Sequence, residues 1–120
     1  MNKQLVTLEI NLWSGAEISI QSREIDHEGE KTLFVPTVHY VRNRTSPMIH
    51  IGPFNKRNLD TVSSARPGTA KTHIVVDGGL SHKQIRQTPE YRAAVRRMLD
   101  KVHAELITAG TYMAQLEDSL

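Results

Sequence analysis

From Leu5 to Leu12 apolar and polar positions alternate, with Val6, Leu8, Ile10 and Leu12 set against Thr7, Glu9 and Asn11. A period of two is the pattern of a strand with one buried face. Trp13-Ser14-Gly15 is a turn signal, and Ala16 to Gln21 resumes the alternation with Ile18 and Ile20, which predicts an N-terminal hairpin. The acidic stretch Glu24 to Glu30, with Gly29 inside it, reads as the next turn. Lys31 to Val41 holds Leu33, Phe34, Val35, Val38, Tyr40 and Val41 and reads as a strand. Pro36 pushes that strand to an edge or a bulge, because proline cannot donate to a ladder. Arg42 to Pro47 has turn composition, and Met48 to Phe54 is the returning strand of a second hairpin.

Residues 55–70 (NKRNLDTVSSARPGTA) show no sustained period and read as a long, mobile loop, of the kind that is usually functional or disordered in a compact domain. Lys71 to Asp77 is a short β-branched run closed by Gly78-Gly79, the last strand, and Ser81 is placed to cap a brief helical turn over His82 to Gln87. Thr88-Pro89-Glu90 then sets an N-cap residue, a proline at the first helical position and an acid at the positive end of the dipole in the order a helix start prefers. Tyr91, Val95, Met98, Val102, Leu106 and Ala109 recur at spacings of three and four and share one face. Gly110 reads as the C-cap, which leaves Thr111 to Leu120 as a short second helix or a tail. The expected architecture is one α+β domain: an antiparallel sheet of four to five strands from two hairpins, with one long amphipathic helix packed on a face.

A length of 120 residues allows one real core. The absence of cysteine removes disulfides, thiolate metal sites and thiol nucleophiles together and suits a cytoplasmic protein. No window approaches a membrane span, and the first residues alternate instead of forming a signal-peptide core. The net charge of +2 is a cancellation. Residues 1–40 carry three Lys or Arg against six acids, residues 41–101 carry twelve against four, and residues 102–120 carry three acids and no Lys or Arg.

That basic middle supplies the leading candidate site. Arg92 and Arg96 are four apart, as are Arg97 and Lys101, so they flank the side of the helix opposite its apolar stripe. Lys83 and Arg86 precede them, and the loop adds Lys56, Arg57, Arg66 and Lys71. Clustered Lys and Arg beside a loop are what a phosphate backbone selects, since each neutralised phosphate releases counterions. An acidic protein surface would select the same residues, and a plain solvated face with pairs such as Lys101 and Glu105 accounts for them equally well. One Trp, three Tyr and two Phe supply little for base stacking, which favours backbone contact over sequence readout.

A second candidate is geometric. If the second hairpin is centred between Arg44 and Thr45, His39 faces His50, and His73, with Asp77 on the same face, joins them if the strands neighbour. Three imidazoles hold a metal with an open position. No HxH or HExxH spacing supports this, and histidines on half-exposed strands more often pack and hydrogen-bond. A third candidate, Arg66 to Thr72, combines glycine, hydroxyls and a lysine, but it lacks the earlier glycine and the following helix of a phosphate loop, so it reads as a weak anion-contact loop. No motif supports nucleophilic catalysis, and no cofactor is expected.

The opening LVTLEINLWSG resembles the start of some uncharacterised proteins encoded by phages and integrative elements, over about a tenth of the chain. The resemblance implies a mobile-element accessory protein. Taken together, the expectation is a non-enzymatic binder of an anionic partner, nucleic acid first. The alternative is a protein-binding inhibitor or assembly module using the hairpin edges, the long loop and the C-terminal segment, with a homodimer seam through the helix end at Tyr112, Met113 and Leu116.

Overall fold

The computed structural model describes residues 2–40, 42 and 45–120. Among these, six strands precede two helices: β1 (Lys3–Asn11), β2 (Ile18–Glu24), β3 (His27–Glu28), β4 (Thr32–His39), β5 (Met48–Asn55), β6 (Thr69–Asp77), α1 (His82–Ile85) and α2 (Pro89–Asp118). Every pairing is antiparallel, and the class is α+β with one long C-terminal helix. The strands do not form one sheet of four to five. They form two sheets of three, ordered β2-β1-β6 and β3-β4-β5.

The acidic stretch expected to be a turn is the reason for the split. Ile25 breaks the run of polar residues and is buried, and its N–H donates to Lys3 O at 3.0 Å while that of Asp26 donates to Phe34 O at 2.8 Å. Adjacent residues thus bond to different sheets, and the chain passes from one to the other in a single step.

Alternation along β1 assigns its two faces. Val6, Leu8 and Ile10 join Ala70, Ile74 and Val76 of β6 and pack under Ile85, Ala94, Met98 and Val102 of the helices. Leu5 and Val75 point the other way, into a cluster with Ile25, Leu33, Val35, Phe54 and Leu59. The first sheet is therefore the middle layer, with helix on one face and the second sheet on the other.

Pro36 lies in β4, the central strand of its sheet, opposite Ile51. It is tolerated because β3 pairs only with Leu33 and Phe34, so at Pro36 the strand has a neighbour on one side only.

Thr88 caps α2 by accepting from the Tyr91 N–H, with proline at the helix start, and Ser81 forms a capping box with Gln84 at α1. Gly110 does not end the helix. It takes an ordinary helical φ, and α2 runs on to Asp118, 30 residues or about 45 Å. Contact with the sheet ends much earlier, and every residue from Leu106 onward is exposed. The radius of gyration, 17.8 Å, exceeds the roughly 14 Å of a compact chain of this length.

Residues 55–70 are bonded along their length instead of forming a free loop. Lys56 begins a 3₁₀ turn and donates to Lys31 O, Ser63 pairs with Lys71, and the buried Thr72 hydroxyl lies 3.2 Å from Leu59 O and 3.0 Å from Thr61 O. Val62 packs on the core.

Candidate interaction surfaces

The structure divides the basic set instead of gathering it. Arg92 and Arg96 are exposed on α2, and Lys83 and Arg86 precede them at α1. Arg86 leans on the edge of the first sheet, donating to Ile18 O at 3.4 Å. Arg97 turns toward the 59–66 segment, 3.8 Å from Asp60, and Lys101 lies 3.7 Å from Glu105, whose other oxygen accepts from Ser64. Lys56 is on the opposite side of the molecule, paired with Glu28 of β3, whose carboxyl it holds below the ordinary value, and Arg57 follows it. Lys71 stands on β6 in register with Glu9, on the face of the first sheet away from α2. Arg66 lies over the Trp13 ring, 5.6 Å from its centroid. The middle sheet separates these groups into two sides. Four of the ten cations (Lys56, Arg96, Arg97 and Lys101) are paired with carboxylates, while Arg57, Lys71, Lys83 and Arg92 make no ion pair among the described residues.

The histidines are not assembled either. The hairpin register pairs His39 with Met48 and His50 with Thr37, so the two histidines are two positions out of register and not opposed. His73 belongs to the other sheet, its ring tilted against Phe54 at 4.7 Å. Burial foremost, then Arg23 and Lys71, push its pKa below the ordinary 6.5. Among the described residues no group of three or more His, Asp or Glu is arranged to hold a metal ion. The Arg66 to Thr72 segment is spent on its own turn: Thr69 and Arg66 bond each other, Gly68 O accepts from Leu12 N–H, and Pro67 O accepts from the Trp13 indole.

Apolar side chains left in the open are what the pattern along the chain did not reveal. In the β4–β5 hairpin Leu33 and Val35 face inward and are buried, and Arg23 closes that side with a 3.4 Å bond to the Thr37 hydroxyl. The other face carries Phe34, Pro36 and Val38 of β4 opposite Pro53, Ile51 and Ile49 of β5, with Tyr40 just beyond. Ile49 is 72% exposed and Tyr40 86%, and His27 of β3 lies on this face, stacked over Phe34 at 4.2 Å. The signal was present in the residues: β4 is apolar at both odd and even positions, which is how a strand covered on two sides reads. The second exposed apolar surface is the end of α2, where Leu106, Ile107, Tyr112, Met113 and Leu116 are open to solvent.

Among the described residues, no helix is long and apolar enough to cross a membrane. Comparison with protein-family models, curated proteins and solved structures finds no match. The reading of function therefore rests on the surfaces themselves.

Proposed function

We propose that this chain is a non-enzymatic binding module that docks a protein partner on the outer face of its second hairpin. The observation that carries this reading is the row Phe34, Pro36, Val38, Ile49, Ile51 and Pro53, apolar along one face, with Val38, Ile49 and Ile51 exposed. Burying one large aliphatic side chain is worth about 1.5–3 kcal/mol, so several exposed together are a standing incentive for association. Arg42, exposed in the turn that joins the two strands, favours a partner whose apolar surface is bordered by carboxylates at that end. The hairpin is anchored from behind by Leu33 and Val35, which presents the face as a firm platform. To test it, a photoreactive residue at position 49 traps the partner, and the purified partner is then titrated against the parent chain and Ile49→Asp. A loss of about ten- to a hundredfold in affinity supports the reading, and equal affinity removes it.

A second reading keeps nucleic acid as the partner, on the helix side, because Lys83 and Arg92 make no ion pair among the described residues and Arg96, paired with Asp100, is exposed beside them. Anisotropy of labelled oligonucleotides at low and near-physiological salt tests it. Binding that weakens with salt and is lost in Arg92→Glu/Arg96→Glu/Arg97→Glu supports phosphate contact, whereas no binding at low salt excludes it.

A further inference from the structure

The molecule leaves two apolar surfaces in the open, and its own layering keeps them apart. One is the outer face of the β4–β5 hairpin, and the other is the end of α2 from Leu106 onward. The first sheet lies between the hairpin and the helix, and the outer face of the hairpin looks away from α2. A single chain therefore cannot lay one surface on the other, whereas two copies can.

The helix end calls for a sheet. Ala94, Met98 and Val102 rest on the first sheet, and the same face continues through Ala109, Met113 and Leu116 beyond it. Thr108, Gly110 and Thr111 are weak helix formers, so intrinsic preference does little to hold this stretch. The stripe from Leu106 to Leu116 is about 15 Å long, and the hairpin face from Phe34 to Tyr40 about 20 Å. A sheet face of that length extends the layer on which the helix already rests.

Charge selects the hairpin and sets the direction. From Leu106 to Leu120 the only charged side chains are Glu117 and Asp118, at the far end. In residues 32–55 the only Lys, Arg, Asp or Glu are Arg42 and Arg44, both in the segment that joins the two strands. The other end of the hairpin face is bordered by Asp26, bonded to the His27 that stacks on Phe34. With its C-terminal end at the joining segment, the overhang sets Glu117, Asp118 and the negative end of the helix dipole beside Arg42. Reversed, it sets them beside Asp26.

We propose that the overhanging end of α2 docks on the outer hairpin face of a second copy, with its C-terminal end toward Arg42. This rests on the reading given above and deepens it: the protein partner of the hairpin is another molecule of this chain. The two surfaces differ, so the contact is head to tail. One strip of side chains is a small interface, and association is correspondingly weak.

Sedimentation equilibrium of the full chain is expected to show a mass rising above 13.5 kDa as concentration approaches about 1 mM. Ile49→Asp, which disables only the hairpin, and Met113→Gln/Leu116→Gln, which disables only the helix, should each stay at 13.5 kDa with the circular dichroism of the parent. Mixed in equal amounts they should form a pair of twice that mass, because one intact hairpin then meets one intact helix. Arg42→Glu should weaken the association of the parent about two- to fivefold, and adding Glu117→Arg should restore it. A monomer at every concentration, assembly that survives either variant, a mixture that stays monomeric, or no rescue by Glu117→Arg would overturn the proposal. The photoreactive residue at position 49, used on the purified chain and in host extract, separates this failure from that of the underlying reading. A cross-link to residues 106–118 of another copy supports both. A cross-link to a different protein, whose binding Ile49→Asp abolishes, overturns self-docking alone, and no cross-link in either setting overturns both.

Discussion

The indole of Trp13 donates to the carbonyl of Pro67 at 2.9 Å, tying the tip of the first hairpin to the turn that begins β6, 54 positions away. The ring is 68% exposed, so hydrogen bonding and the Arg66 guanidinium above it, more than burial, hold it there. Gly68 makes the approach possible. Its φ of +88° lies in the left-handed region, and a Cβ built on it would stand 3.0 Å from the Trp13 Nε1.

Gly68→Ala is accordingly expected to destabilise the fold by about 1–2 kcal/mol from backbone strain alone, and to push the indole off Pro67. Chemical denaturation measures the first effect. A change in Trp fluorescence reports the second without ambiguity, since the chain has one tryptophan. Unchanged stability and fluorescence would refute the account of this corner.

Gly110→Ala is expected to act in the opposite direction. This glycine is helical, and a Cβ there meets nothing within 4 Å. Alanine costs about 0.5–1 kcal/mol less than glycine inside a helix. Because the site is beyond the sheet, the gain should be local: more helical ellipticity and slower amide exchange over residues 104–116, with little change in the global midpoint. A large shift of the global midpoint would mean that the overhang is part of the core's cooperative unit.

The buried hydroxyl of Thr72 serves the carbonyls of Leu59 and Thr61, and it is the innermost tie on the 55–70 segment. Thr72→Val keeps the shape and removes the donor. The expected cost is about 1–3 kcal/mol, with faster exchange concentrated at residues 59–65. Exchange that rises uniformly, or not at all, would show that the segment does not depend on this residue.

What was legible in the chain and what was not divides along one physical line. β1 and the start of α2 could be read because their signals are local: an unbroken period of two, and Thr88 followed by Pro89. The crossing at Ile25 could not, since one apolar residue among acids gives no period. Gly110 misled because glycine permits a left-handed cap without requiring one, and here it stays within the helix. Whether the basic set is continuous could not be read, because Lys56 with Glu28 and Arg97 with Asp60 are pairings between distant segments, and no spacing in the chain records them.

His73 gives the fold a dependence on acidity. Its Nδ1 is buried with no hydrogen-bond partner among the described residues, and burial, Arg23 and Lys71 all disfavour the charged ring. The folded chain therefore binds this proton less readily than the unfolded chain, whose histidine titrates near 6.5. The contribution to stability is complete above that value and is lost as pH falls through it toward the lower folded pKa. Denaturation midpoints should accordingly decline between about pH 7 and pH 5, and His73→Gln should flatten that decline. The ring's own NMR titration is the direct check. An inflection at or above 6.5, or an undiminished decline in His73→Gln, would assign the acid sensitivity to another group.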